Sequence, residues 1–259
     1  GVSDLFQYRL SVLSNTLILI MNFLSNFYSV WNDNQVSVSA EQGNNFAKNV
    51  ADDFNPIHDT ESKRFCVPGD LLFAIALEHY GLHQSMSFQF RELIKAETEL
   101  NYPDVSQSSA KFDVTCDRDK PVLGIEFSGD SSYQIEKVEQ LIRSYVVFSG
   151  QNFPHILVPL MQQHNVMINP ARPLVIYQSM SLSFDSLDFD SLNIELSRTE
   201  LEVLGKRGNA ELHFDLNNGD KKIGTGLKRL VLSGLREYEQ ASIDIMCEQY
   251  YASKAADSN

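Results

Sequence analysis

Cysteine is scarce in these 259 residues. Cys66, Cys116 and Cys247 fit no CxxC pair and no disulfide framework, and they read as thiols in a reducing, cytoplasmic setting. Basic residues are outnumbered, 21 Lys and Arg against 34 Asp and Glu, and the net charge of −13 argues against a nucleic-acid partner held through phosphates. A local basic rim that receives an anionic ligand is still compatible with that balance. Long apolar runs are also missing. The stretch 9–20 is mildly apolar but contains Ser11, Ser14, Asn15 and Thr16, too short and too polar to span a bilayer. It predicts an amphipathic helix docked on the body, and no membrane partner. There is no Gly-rich phosphate loop, no G-x-S-x-G elbow, no context for a Cys nucleophile and no metal-ligand spacing, so neither a metal nor a cofactor is expected.

What is present is an ordinary globular composition, 43% hydrophobic and 21% charged, organised as a repeat. Residues 35–39 alternate like a short strand. Ser39 then caps a helix to about Val50, with Gln42 at the capping-box position. A polar loop follows, and 70–80 (DLLFAIALEHY) predicts a buried central helix ending at Gly81. Strands are predicted at 86–94, 96–102, 110–116 and 122–128. The order then recurs: a helix at 136–148, a second apolar helix at 154–164, and strands at 174–184, 187–197, 199–205, 208–216 and 222–233. Asn217-Asn218-Gly219-Asp220 is a hairpin turn. Ala40-Glu41-Gln42 matches Val138-Glu139-Gln140 at an offset of 98, and Ser87-Phe88 matches Ser183-Phe184 at an offset of 96. Two matches in one structural order indicate an internal duplication of an α+β unit. Residues 236–251 read as a helix, followed by a frayed polar tail.

The stretch carrying chemistry is Asp53-Phe54-Asn55-Pro56-Ile57-His58, an acid, a turn-forming Asn-Pro and an imidazole between two helices. It resembles the D-x-N-P-x-H motif of the MaoC-like hydratases and dehydratases. Upstream, Phe46-Ala47 and Val50 stand where that family has its apolar helix. Downstream, Phe65, Gly69, Leu71 and Leu72 resemble the run that opens its central hotdog helix. The close resemblance spans residues 35 to about 75, and the repeated layout extends it to about 235. The whole chain is similar to a bacterial family of double-hotdog proteins without an assigned function. The resemblance implies a double hotdog, two fused units each wrapping a curved antiparallel sheet around a central helix. Its expected parts are an N-terminal helical extension (1–34), unit one with the motif (35–132), a degenerate scaffold unit (133–235), and a C-terminal helix and tail (236–259).

The resemblance also implies hydration of an enoyl thioester, or the reverse dehydration, on coenzyme A or an acyl carrier, by a monomer or homodimer. Asp53 and His58 would activate one water, and Asn55 would orient them. The Gly69 N–H, at the start of the central helix, would polarise the thioester carbonyl. Phe54, Pro56, Phe65 and Asp70 would contact substrate. The chemistry agrees: water activation wants a base near neutrality, and an enolate-like oxygen wants a fixed donor. The sequence departs from the family in a shorter loop after His58, in Pro68 where a His is usual, and in Asp70 where the family is apolar. In the second unit, Phe148–His155 is a scrambled echo of the motif. Gln151 falls opposite Asp53 there and cannot act as a base, so one site per chain is expected, with unit two as scaffold and part of an acyl tunnel. Glu78, His79 and His83 read as a solvated helix end, Lys206-Arg207 and Lys221-Lys222 as loop charge, and Asp185, Asp188 and Asp190 as an exposed acidic face. A non-catalytic hotdog binding protein and a hotdog thioesterase are the alternatives.

Overall fold

The computed structural model describes residues 23–258; the helix predicted over 9–20 lies outside them. The chain opens with a tight hairpin, β1 (Ser29–Asn32) and β2 (Gln35–Ser37), turned by Asn32, whose side-chain oxygen accepts from the N–H groups of Asn34 and Gln35. Over its described part, 23–34, the extension foreseen as helical is bends and turns followed by strand β1. Helix α1 (Ala40–Asn49) starts at Ser39 with the predicted reciprocal Ser39–Gln42 capping box. Helix α2 (Gly69–Tyr80) is apolar on nearly every side and buried to match. It stops at Gly81, whose φ of 75° is a conformation that glycine adopts without steric cost. Strands β3 (Leu82–Phe90), β4 (Leu100–Asn101), β5 (Ala110–Cys116) and β6 (Lys120–Ser132) follow.

The second half begins with α3 (Ile135–Gly150), then the short α4 (Asn152–His155) and α5 (Leu157–Gln163). The single apolar helix predicted at 154–164 is broken, because Phe153 precedes a proline and sits in an extended conformation (φ −104°, ψ 132°). The burial is redistributed accordingly. α3 buries Val138, Leu141, Ile142, Tyr145 and Val146 in the same core as α2, while α5 anchors a smaller cluster with Leu212, Leu230 and Leu232. Strands β7 (Val166–Met167), β8 (Val175–Phe184), β9 (Leu192–Leu204), β10 (Arg207–Asn218), β11 (Lys221–Ser233) and β12 (Arg236–Glu237) precede the final helix α6 (Gln240–Asp257). Strand β9 replaces two predicted strands. An extra residue opposite His213/Phe214 makes a bulge, so the chain bends there without ending. The tail foreseen as frayed is helical to Asp257, with Lys254 anchored to Asp52.

Ten strands form one sheet in the order β1-β2-β4-β5-β6-β3-β8-β11-β10-β9, antiparallel throughout. The first half runs β2-β4-β5-β6-β3 and the second β8-β11-β10-β9, its mirror about the β3–β8 junction except that the first strand has no counterpart. Strand β7 pairs with β12 in a separate two-stranded sheet. Helices on one face of a continuous sheet, with two like strand orders meeting at the middle, define the α+β double hotdog. The Ser-Phe dipeptides that revealed the repeat lie on the two junction strands, where Ser87 faces Ser181 and Ser85 faces Ser183. No helix among the described residues is long and apolar enough to cross a membrane.

Glycine 150, at the end of α3, is where the halves meet most closely. A Cβ there would lie 2.1 Å from the Ala51 carbonyl oxygen and 3.1 Å from the Asp53 Cβ. Overpacking of this kind costs about 1–3 kcal/mol. Gly150→Ala is expected to lower unfolding free energy by that order in urea titrations, whereas Gly219→Ala, at an open turn, loses only the smaller cost of its positive φ. Equal losses would disprove the contact.

Candidate active site

The motif loop is built by local hydrogen bonds. Asp52 takes a left-handed conformation (φ 51°) after α1 and turns the chain. The Asn55 N–H donates to Asp53 Oδ1 at 2.9 Å, and the Asn55 side-chain oxygen accepts from the Ile57 N–H, capping a single 3₁₀ turn over Pro56–His58. Asn55 thus orients both members of the pair, Asp53 through its backbone and His58 through the capped turn. His58 Nε2 lies 3.6 Å from Asp53 Oδ2. Too long for a direct hydrogen bond and too short to admit a water between them, that separation leaves both groups able to reach one water placed to the side of the pair.

The other ring nitrogen fixes the proton. His58 Nδ1 is 2.8 Å from the Cys66 carbonyl oxygen, which can only accept, so Nδ1 carries hydrogen. In the neutral imidazole Nε2 is then the lone-pair nitrogen, turned to the carboxylate. His58 is buried and Asp53 half-buried. The Cys66 thiol, 3.9 Å from Nδ1, is pushed up to about 12 by burial and, secondarily, by Asp53, and stays a thiol. All three cysteines are free.

At the start of α2, Pro68 is the N-cap and offers no side chain to the first turn, and the Gly69 N–H has no intrahelical acceptor. The rings of Phe90 and Tyr177, 4.3 Å apart between centroids, flank Gly69; a Cβ there would lie 3.2 Å from each. Asp70 is 6% exposed. Around it stand residues that sequence reading passed over. Lys228, on β11 and 4% exposed, donates to Ser149 Oγ (2.6 Å), to the Ser149 carbonyl (3.2 Å) and to Asn152 Oδ1 (2.6 Å), and lies over the Tyr177 ring. The Tyr145 and Tyr177 hydroxyls bond each other. Burial pushes Asp70 up to about 6, raised further by Asp53 and drawn back by Lys228, Ser149 and His58. Burial lowers Lys228, opposed by Asp70 and Asp53. The missed signal was parity. Lys228 shares its strand face with Leu230 and Leu232, both buried, in the run GLKRLVL.

A family profile described as protein of unknown function (DUF3581) matches residues 22–241, most of the chain. The chain belongs to that family. No curated protein matches a DUF3581 chain of this sequence. Among solved structures it is similar to an acyl-CoA thioesterase II, TesB2, from Mycobacterium marinum (7% identity, 87% of this chain and 98% of that one, TM-score 0.43). It is also similar to a conserved protein of unknown function with hot dog fold from Alicyclobacillus acidocaldarius (10% identity, 81% and 97%, TM-score 0.45) and to a MaoC-like dehydratase (10% identity, 82% and 99%, TM-score 0.40). Likenesses this distant carry nothing about activity. The double-hotdog assignment of this DUF3581 member rests on its own strand order.

The remaining predicted site residues are placed as follows. Phe54 is buried edge-to-face on Tyr250 of α6, and Phe65 packs over Gly43 of α1. Pro56 is exposed at the start of the 3₁₀ turn. Glu78, His79 and His83 are not a solvated helix end. His83 is buried, stacked on Phe127, and Glu78 is bonded to Tyr28, its burial raising it to about 7. His155 is exposed in α4, near Tyr251. The second half is more than scaffold, since it supplies Ser149, Asn152, Tyr177 and Lys228. A groove of about 470 Å³ opens on the sheet face away from the helices, floored by Ser85, Ser87, Ser181 and Ser183; neither it nor a smaller one of about 120 Å³ is lined by Asp53 or His58. Glu200, Glu211 and His213 cluster nearby, but Arg198 and Arg229 already pair with the two glutamates, and His213 Nε2 lies within hydrogen-bond distance of Arg198 and Glu211.

The raised Asp70 has a stability consequence. A carboxyl whose folded value lies above its unfolded one contributes stability that is full below the unfolded value, 3.8, and is lost as pH rises through about 6. Urea unfolding in steps between pH 4 and 7 should show that decline in the wild type and a flatter profile in Asp70→Asn. An identical slope in both would assign it to other groups.

Proposed function

We propose that this protein hydrates an enoyl thioester, or dehydrates the corresponding 3-hydroxyacyl thioester, with Asp53 and His58 activating one water. The observation that carries the reading is His58 Nδ1 on the Cys66 carbonyl, which leaves the Nε2 lone pair 3.6 Å from Asp53 Oδ2. A water beside the pair, within reach of both atoms, would be held by both groups. One takes a proton from it as its oxygen adds to the β carbon, and a proton is delivered to the α carbon, so the elements of water are divided between the two carbons. The thioester carbonyl would face the Gly69 N–H, where the positive end of α2 favours developing negative charge. The substrate is an acyl thioester of coenzyme A or an acyl carrier, and no cofactor is required for this chemistry. The β3–β8 junction lies within one chain, so a monomer suffices.

A second reading is favoured by one observation. The Phe90 and Tyr177 rings close over Gly69, and neither groove is lined by the pair, as suits a hotdog protein that binds a ligand or partner without turnover.

Crotonyl-CoA separates the readings. Loss of enoyl absorbance is expected in the wild type, and Asp53→Asn or His58→Ala should lower kcat by about 100-fold or more. Free thiol would indicate a thioesterase using the same water. Thermal stabilisation without turnover would favour the binding reading, and turnover unchanged in Asp53→Asn would remove Asp53 from the mechanism.

A further inference from the structure

Asp70 is the one residue of the site whose chemistry contradicts its place. An ionised carboxylate one residue after Gly69 would repel the negative charge that a thioester carbonyl develops there. Yet the side chain is 94% buried (6% exposed), and its Oδ1 has no hydrogen-bond partner among the described residues. An unpartnered buried carboxyl oxygen at the start of a twelve-residue helix is a costly arrangement unless a ligand completes it.

We propose that Asp70, as the neutral acid, donates a hydrogen bond to the carbonyl oxygen of the acyl thioester beside the Gly69 N–H, so that the start of α2 grips that oxygen with two donors. This rests on the acyl-thioester reading of the site. The geometry supplies the parts. Ser149 stands beside the Asp70 carboxyl, and Oδ1 has no hydrogen-bond partner among the described residues, which leaves it for the ligand. The flanking Phe90 and Tyr177 rings exclude water from the helix start. A carboxylic acid in an apolar enclosure can serve as a donor in this way.

The charged and titratable groups facing Asp70 come from every element around it. They are Asp53 and His58 from the motif loop, Tyr145 and Ser149 from α3, Tyr177 from β8 and Lys228 from β11. Both tyrosines are held well above their ordinary value by burial and remain neutral donors. Burial and Asp53 favour the acid form of Asp70; Lys228, Ser149 and His58 favour the carboxylate. The balance falls at about 6, so the donor is present in mildly acidic conditions and withdrawn as pH rises. Lys228 is then a positioning residue that sets where the withdrawal occurs.

Binding of butyryl-CoA tests this without turnover, since a saturated thioester cannot be hydrated. By calorimetry between pH 5 and 8, wild-type affinity should weaken as pH rises through about 6, by about tenfold for each unit above it. Asp70→Asn, isosteric and a donor at every pH, should bind with little pH dependence. Asp70→Leu should bind weakly throughout, and Lys228→Met should move the break to higher pH. Thermal melts establish which variants fold, and the Asn profile decides the matter should the Leu variant not fold. The proposal is overturned by an Asn variant that keeps the wild-type break, by a folded Leu variant that binds as tightly as wild type at pH 5.5, or by a wild type that does not bind butyryl-CoA. Should crotonyl-CoA go unhydrated while butyryl-CoA shows the expected pattern, the hydration reading fails and this one stands.

Discussion

An ammonium and a carboxyl share one apolar enclosure, and much of the site is arranged to satisfy them. Charges taken out of water are tolerated only when their hydrogen-bonding capacity is met. Lys228 meets that demand with three acceptors, two from Ser149 at the end of α3 and one from Asn152 at the start of α4. Because these acceptors come from a helix terminus, the end of α3 has to lie beside β11. Because residue 150 is glycine, that terminus can also touch the loop carrying Asp53. The loop carrying Asp53 and His58 in the first half therefore lies against a helix end that a charge buried in the second half holds.

The local parts were legible in the sequence. The Ser39–Gln42 capping box, the stop of α2 at Gly81 and the Asn55-Pro56 turn are decided by residues within a few positions of one another. Short-range chemistry leaves few alternatives at such places. Asp53 and His58, five apart across that turn, meet for the same reason. What was hidden depends on distant neighbours. The helices predicted at 136–148 and 154–164 join different cores, which the sequence could not show, because hydrophobicity shows that a helix is buried, not which core receives it. The bulge in β9 looked like a strand end, since one inserted residue breaks alternation just as a turn does. Lys228 was passed over, because the partners that satisfy it, Ser149 and Asn152, lie more than seventy residues away.

Two separated segments hold the motif loop. Asp52 accepts from Gln151 Nε2 at 2.7 Å and from Lys254 Nζ at 2.6 Å. Phe54 packs on Tyr250, which packs in turn on Phe153. The loop between α1 and α2 is thus tied to the end of α3 and to α6, through Asp52 and Phe54, the neighbours of Asp53 in sequence. Such ties limit how far Asp53 can move from His58.

The two halves have diverged in a complementary way. At the offset of the repeat, Gln151 stands where the first half has Asp53, and the surrounding Phe148–His155 echo has lost the acid. It has not become idle. Gln151 braces Asp52, Asn152 holds Lys228, and Phe153 supports Tyr250. The segment that would have formed a second motif instead forms a wall of the first. A duplicated hotdog with two equivalent loops would have to satisfy two sets of buried polar groups. Here one loop keeps the acid and imidazole, and the other supplies neutral amides and hydroxyls that stabilise a buried cation.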